Sequence, residues 1–222
     1  MSKTVVACGE ILWDILPSGV VLGGAPFNFV YRINSLGDLG IMVSRISSDD
    51  LGRQAYEKVV SLGLETNCLQ WDDLHPTGTV NVSFDSDNNP DYVIVTDVAY
   101  DNIEPRSLNI EAAQKADCFC FGTLIQRSEK SRSTVGELLD HAGSSVKLLD
   151  INFRRNCYDR ESVLYSLGKA DVLKLNEDEV HELARMLKIS SKAIPEICEE
   201  VLSRFSLRYC LVTLEKMGAF AV

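Results

Sequence analysis

The chain has 222 residues, 45% of them hydrophobic and 24% charged, with a mean hydropathy of 0.00. That is the size and composition of one large folded domain or two small ones, and it excludes a disordered tail, a collagen-like chain and a coiled coil. The 22 Lys and Arg stand against 32 Asp and Glu, a net charge of −10, which argues against a nucleic-acid or anionic-membrane partner.

The first predicted strand is the short apolar run Thr4 to Cys8, ending at Gly9. Ile11 to Leu22 reads as two brief extended pieces around a Pro17-Ser18-Gly19 turn. Gly23-Gly24-Ala25-Pro26 then leads into a helix from about Phe27 to Leu36, stopped by Gly37. Ile41 to Ile46 is a strand, and Asp49 or Asp50 caps a helix that runs to Leu62 and stops at Gly63. Residues 77–98 alternate like a hairpin with Asp87-Asn88-Asn89-Pro90 at its turn, and they carry acid but no Lys or Arg. They read as an exposed flap rather than core sheet.

Strand and helix then alternate. Strands are expected near Cys118–Phe121, Lys147–Ile151, Val172–Lys174, Tyr209–Thr213 and Ala219–Val222, with helices near Ser131–Ala142, Glu161–Leu167, Glu177–Leu187 and Ile194–Phe205. Repeated β-α-β with apolar strands implies a mostly parallel sheet with helices on both faces. No stretch approaches the roughly 20 apolar residues of a membrane span, and Glu10 interrupts the opening apolar run, so it does not read as a secretory leader. The seven cysteines form no CxxC pair and His75, His141 and His181 no HExxH spacing. Buried reduced thiols of a cytoplasmic protein are the expectation, without structural zinc.

In a sheet of this kind ligands bind at the carboxyl ends of the strands. Glu10 and Asp14 follow the first strand. Gly23-Gly24 lets backbone amides approach a ligand, and Asn28, one turn into the helix, offers a donor and an acceptor suited to polyol hydroxyls. Asp150, Asn152 and Arg154 fall on one side if the strand continues, and Arg154 can fork onto a phosphate. Asn176 to Glu179 opens a helix where a carboxylate can hold magnesium through water. Each has a plainer reading: Asp14 as a turn cap, the glycine pair as a turn, Asn176 as a helix cap with acids that favour the helix dipole. The charge is also uneven. Residues 1–111 hold 6 Lys and Arg against 16 Asp and Glu, whereas residues 112–222 hold 16 of each, so a phosphate site suits the second half. No GxxxxGK[ST] or GxGxxG occurs, so a P-loop or dinucleotide-binding reading has no support.

The order of these pieces resembles the ribokinase-like (PfkB-type) sugar kinases, and among them the fructokinases. It consists of Gly9-Glu10-x-x-x-Asp14, Gly23-Gly24-Ala25-Pro26-x-Asn28, Leu36-Gly37, Asp50-x-Gly52, Thr77-Gly78, Asp150-x-Asn152-x-Arg154, Asn176-x-x-Glu179, and Val212-Thr213-Leu214 with Gly218. The resemblance implies a three-layer α/β/α sandwich whose small β lid is formed by residues of about 12–22 and 77–98. It implies sugar binding by Asp14, Gly23, Gly24, Asn28 and Asn152, and a transition-state phosphate contact from Arg154. It further implies that Asn176, Glu179, Thr213 and Gly218 serve ATP and Mg2+, with Glu179 reaching the metal through water, and that the lid forms a homodimer surface.

Two departures accompany it. Glu215 stands where the family has glycine, and the Asp-Thr-x-Gly-Ala-Gly-Asp segment that carries the family's catalytic base is absent from these 222 residues. The expectation is therefore a single incomplete domain over 1–222. It would hold the sugar site and part of the phosphate site of a cytoplasmic, ATP-dependent kinase acting on a primary hydroxyl, most simply that of fructose. A nucleoside kinase on the same scaffold and a non-catalytic sugar-binding or regulatory remnant are the other readings.

Overall fold

The computed structural model describes residues 2–84 and 90–222, with the backbone alone for 82–84 and 90–92. The expected turn at Asp87–Asn89 lies outside the described residues.

The first strand, β1 (Thr4–Cys8), is followed by β2 (Leu12–Leu16), β3 (Gly19–Gly23), the helix α1 (Ala25–Ser35) and β4 (Leu39–Ser47). Next come α2 (Asp50–Ser61), β5 (Leu69–Asp72), β6 (Gly78–Phe84), β7 (Pro90–Ile94), α3 (Ser107–Lys115) and β8 (Cys118–Phe121). The remainder runs α4 (Glu129–His141), β9 (Val146–Asp150), α5 (Arg160–Lys169), β10 (Val172–Asn176), α6 (Glu177–Leu187), α7 (Ile194–Phe205), β11 (Tyr209–Thr213) and β12 (Ala219–Ala221). Eight strands form one sheet in the order β12-β11-β10-β9-β8-β1-β4-β5, and β3-β2-β6-β7 form a second. Every pairing of the large sheet is parallel except that of β11 with β12.

Strand alternation sorts β1 onto two cores. Ala7 joins Phe27, Val30, Met42, Ala55 and Val59 under α1 and α2, while Val6 and Cys8 join Phe119, Val135 and Leu183 under the helices from α3 onward. The three layers are complete only around β1 and β4. Beyond β8 no described helix covers the α1/α2 face of the sheet, and Tyr209 and Leu211 of β11 are exposed there. All seven cysteines are free thiols, and all but Cys118 are buried. No described helix is long and apolar enough to cross a membrane.

Several boundaries differ from the sequence expectation. The first helix starts at Ala25, because Pro26 fits the first turn and Gly24 precedes it with φ +115°. Asp49, rather than Asp50, caps α2 by accepting from Gly52 N at 2.7 Å. The short strand β5 and the helix α3 were not expected. One is four residues at the sheet edge, and the other has a weakly patterned sequence, SLNIEAAQK. The hairpin strands do not stand alone: β2 pairs in parallel with β6 and antiparallel with β3, so that β3, β2, β6 and β7 form one small sheet.

Candidate active site

The chain leaves β1 toward β4 on one side of the sheet, and β8 flanks it on the other. The carboxyl ends of β1 and β8 are thus the switch point of the topology, where this architecture leaves a crevice. Glu10 follows β1 after Gly9 and is 4% exposed. Its Oε1 accepts from Ala25 N at 3.0 Å, so the carboxylate holds the amino end of α1 against the sheet. Gly24 is packed so closely onto this strand end that a Cβ there would lie 2.3 Å from the Glu10 carbonyl oxygen. With φ +115° as well, only glycine fits.

Burial pushes the Glu10 carboxyl from its ordinary 4.5 up to about 7, against the Ala25 N–H bond and the charge of Arg154. The raised value means that ionisation costs more in the folded than in the unfolded chain. Below about pH 4.5 both states are neutral and the cost is absent; it grows as pH rises and is full above about 7. Glu10→Gln is therefore expected to match the parent's stability near pH 4.5 and to exceed it by about 3 kcal/mol at pH 8. Urea unfolding at the two pH values checks this.

Asp14 lies on β2, and its Oδ2 would be 2.7 Å from a Cβ on Gly23, so the carboxylate rests against Gly23. Burial raises its carboxyl, and the Arg154 guanidinium opposes the rise. Asn28 has an exposed side chain on the first turns of α1, with its amide bonded to the Gly24 carbonyl. Strand β6 is anchored where it leaves the core: Asp49 accepts from Thr77 N at 2.8 Å and from Thr77 Oγ1 at 2.5 Å while capping α2.

The segment after β9 corrects one expectation. Asp150, Asn152 and Arg154 do not continue a strand, since β9 ends at Asp150 and Asn152 takes φ +42°. Asp150 pairs with Lys174 Nζ at 2.9 Å, Asn152 borders a small cavity with Glu10, Gly122 and Thr123, and Arg154 is exposed. Asn176 and Glu179 form a reciprocal cap. Asn176 Oδ1 accepts from Glu179 N at 2.9 Å, and Glu179 Oε2 accepts from Asn176 N at 2.8 Å. Glu179 Oε1 accepts from Phe153 N at 3.0 Å, which ties α6 to the Arg154 loop. Burial raises this carboxyl, with Lys174 opposing and Asp150 adding to the rise. Thr213 is the register partner of Asn176 across β10 and β11. Gly218 and Glu215, both at positive φ, lie exposed beyond it.

The predicted residues thus fall in two groups along the carboxyl edge of the large sheet. Asp14 and Gly23 lie on the small sheet, Gly24 and Asn28 at the start of α1, and Asn152 by Glu10 and Ala25, whereas Asn176, Glu179, Thr213 and Gly218 lie toward β10 and β11. Arg154 acts electrostatically on Glu10 and Asp14. A profile of pfkB family carbohydrate kinases matches residues 19–222. The chain belongs to the pfkB family of carbohydrate kinases. It is 28% identical over 165 residues to the sugar kinase PH1459 of Pyrococcus horikoshii, covering 71% of this chain and 53% of that protein. It is 26% identical over 192 residues to a fructokinase of Escherichia coli, covering 81% and 62%. The matches therefore span less than two thirds of the length of these two relatives.

The crystal structure of PH1459 superposes with a TM-score of 0.82 at 23% identity, over 98% of this chain and 76% of that one, and PH1459 has also been solved with ATP. A Vibrio cholerae fructokinase holding fructose, ADP and calcium gives 0.82 at 19% identity, over 99% and 73%. At these identities the likeness establishes the fold, and the expected ribokinase-like α/β architecture with a small second sheet is borne out.

Sequence reasoning left without a role one residue at this crevice, Glu10, and one pair away from it, Asp101 with Arg127. Glu10 had a signal, an acid directly after an apolar strand and a glycine. The buried pair of Asp101, 4% exposed as a residue, and Arg127 had none, because each sits in a short 3-10 turn without periodic pattern.

Proposed function

We propose that these residues form the sugar site and part of the nucleotide site of an ATP-dependent, fructokinase-like sugar kinase that phosphorylates a primary hydroxyl of fructose or a related sugar. The observation that carries this reading is the Asp14 carboxylate set against Gly23 at the entry of α1, the helix whose first turns carry Asn28, with the Arg154 charge acting on Asp14. A carboxylate, a glycine-opened backbone and a primary amide suit vicinal hydroxyls. Arg154 faces the transferred phosphoryl group, and Asn152 completes the sugar contacts. Closure of the β2-β3-β6-β7 lid excludes water from the transfer. Exposed Val20 and Val21 on the same lid offer the apolar surface of a homodimer.

On the nucleotide side, Asn176, Thr213 and Gly218 meet ATP. Magnesium, when bound, neutralises charge that develops on the phosphates. Both Glu179 oxygens already accept backbone N–H bonds, Asp150 is paired with Lys174, and the described residues offer no cluster of three metal-ligating side chains. That donor set fits a hydrated ion held through its waters by Glu179, not a direct protein cage. The resemblance assigns the base to a Gly-Ala-Gly-Asp segment, and no Gly-x-Gly-Asp occurs in these 222 residues. This reading therefore gives the present residues binding and orientation, and no proton transfer. Titration calorimetry of the chain against fructose, ribose and adenosine tests it. Heat with fructose and none with adenosine is expected; binding of adenosine alone would move the reading to a nucleoside kinase.

A further inference from the structure

The geometry points to Arg127 as a positioning residue that clamps the lid's returning leg and the Arg154 turn to one point of the core. Arg127 closes the 3-10 turn Leu124–Arg127 that follows β8, and its side chain is 8% exposed. Its Nε and Nη2 fork onto Asp101 at 2.9 and 2.8 Å, which fixes the plane of the guanidinium. The guanidinium makes further contacts, with the two Nη2 hydrogens shared among three acceptors. Nη2 also donates to the Val95 carbonyl at 2.7 Å and to the Tyr100 hydroxyl at 3.1 Å, and Nη1 donates to Cys157 Sγ at 3.6 Å.

These partners lie at the joints of the molecule. Val95 is the first residue after β7, and its own amide donates to Thr79 O of β6 at 3.1 Å, so it belongs to the lid. Tyr100 packs on the other leg, where a Cβ on Gly78 would lie 2.2 Å from its ring. Cys157 is buried, and its amide closes the turn of Arg154 by donating to the Arg154 carbonyl at 2.9 Å. One guanidinium therefore touches the lid's return, the residue that supports its exit, and the turn that presents Arg154. A lysine at this position would keep the charge opposite Asp101, but a point charge cannot serve all of these acceptors at once. Movement of the lid on sugar binding is transmitted through this clamp to the phosphate side. That last step rests on the sugar-kinase reading; the clamp itself does not.

The test is amide hydrogen exchange of the chain, with and without fructose, in the parent, Arg127→Lys and Cys157→Ala. Without sugar, Arg127→Lys is expected to speed exchange at Val95 and Cys157 at least tenfold and to leave the β1 and α4 amides at parent rates. Cys157→Ala should speed exchange in the 154–157 turn and leave Val95 slow. Parent rates at Val95 and Cys157 in Arg127→Lys, or uniform acceleration of every amide, overturn the clamp. With fructose, protection at Val95 should extend to Cys157 in the parent and stop at the lid in Cys157→Ala. Transmission that survives in Cys157→Ala overturns the coupling. If fructose protects nothing in the parent, the sugar reading fails, while the sugar-free arm still decides the clamp.

Discussion

Replacing Asp101 by alanine is expected to remove about 3–5 kcal/mol of folding stability, the largest loss predicted for any single substitution here. The Asp101 carboxylate is 6% exposed and accepts two N–H bonds from Arg127 and one from Val98 N at 3.2 Å. Alanine leaves a buried guanidinium without its counter-charge and a buried backbone amide without its acceptor. Against a total stability of about 5–15 kcal/mol this is a large share, and it corresponds to a fall of roughly 6–20 °C in Tm for a chain of this size. Removing both partners, as Asp101→Leu with Arg127→Met, should recover the part of the loss due to the unpaired charge, while the Val98 amide still lacks its acceptor. Urea and thermal unfolding of the single and double variants measure it. A single variant within about 1 kcal/mol of the parent would mean that water reaches the pair.

The centre of the sheet was legible in the sequence because β1 and β8 are buried on both faces and read as the apolar runs TVVAC and CFCF between glycines and helix caps. What escaped lacked that signature. The edge strand β5 is four residues long with only one flanking neighbour, and α3 presents two alanines to the core where a strong stripe would have announced it. The parallel pairing of β2 with β6 joins segments about 65 residues apart in sequence (Leu12 with Gly78 in register), and no local pattern encodes such a contact.

The site was legible where chemistry demands a residue type in a fixed place. Gly24 must be glycine because of its φ and its contact with the Glu10 carbonyl, and Asn176 with Glu179 is a capping spacing visible in any helix start. The run from Asp150 to Arg154 misled, because alternation assumes an extended chain and Asn152 turns out of it at φ +42°. Arg127 was invisible for a related reason. Its value lies in one guanidinium meeting acceptors from the 95–101 stretch and from Cys157, a property of the folded chain alone.

Asp14→Ala is expected to weaken fructose binding by roughly 100-fold or more, since a carboxylate that accepts two hydroxyls contributes about 1.5–3 kcal/mol for each bond. The same substitution should leave stability intact. Burial already raises the Asp14 carboxyl, so its removal relieves a desolvated charge, and alanine keeps the β2 backbone in register with β3 and β6. Affinity and stability are therefore predicted to separate, which general damage to the lid would not produce. Calorimetric titration of fructose into the parent chain and into Asp14→Ala, with unfolding curves for both, tests most directly whether the crevice beneath the lid is a sugar site. The prediction is saturable binding to the parent and a loss of about two orders of magnitude in the variant at unchanged stability. No binding of fructose to the parent, or equal binding to both, would contradict it.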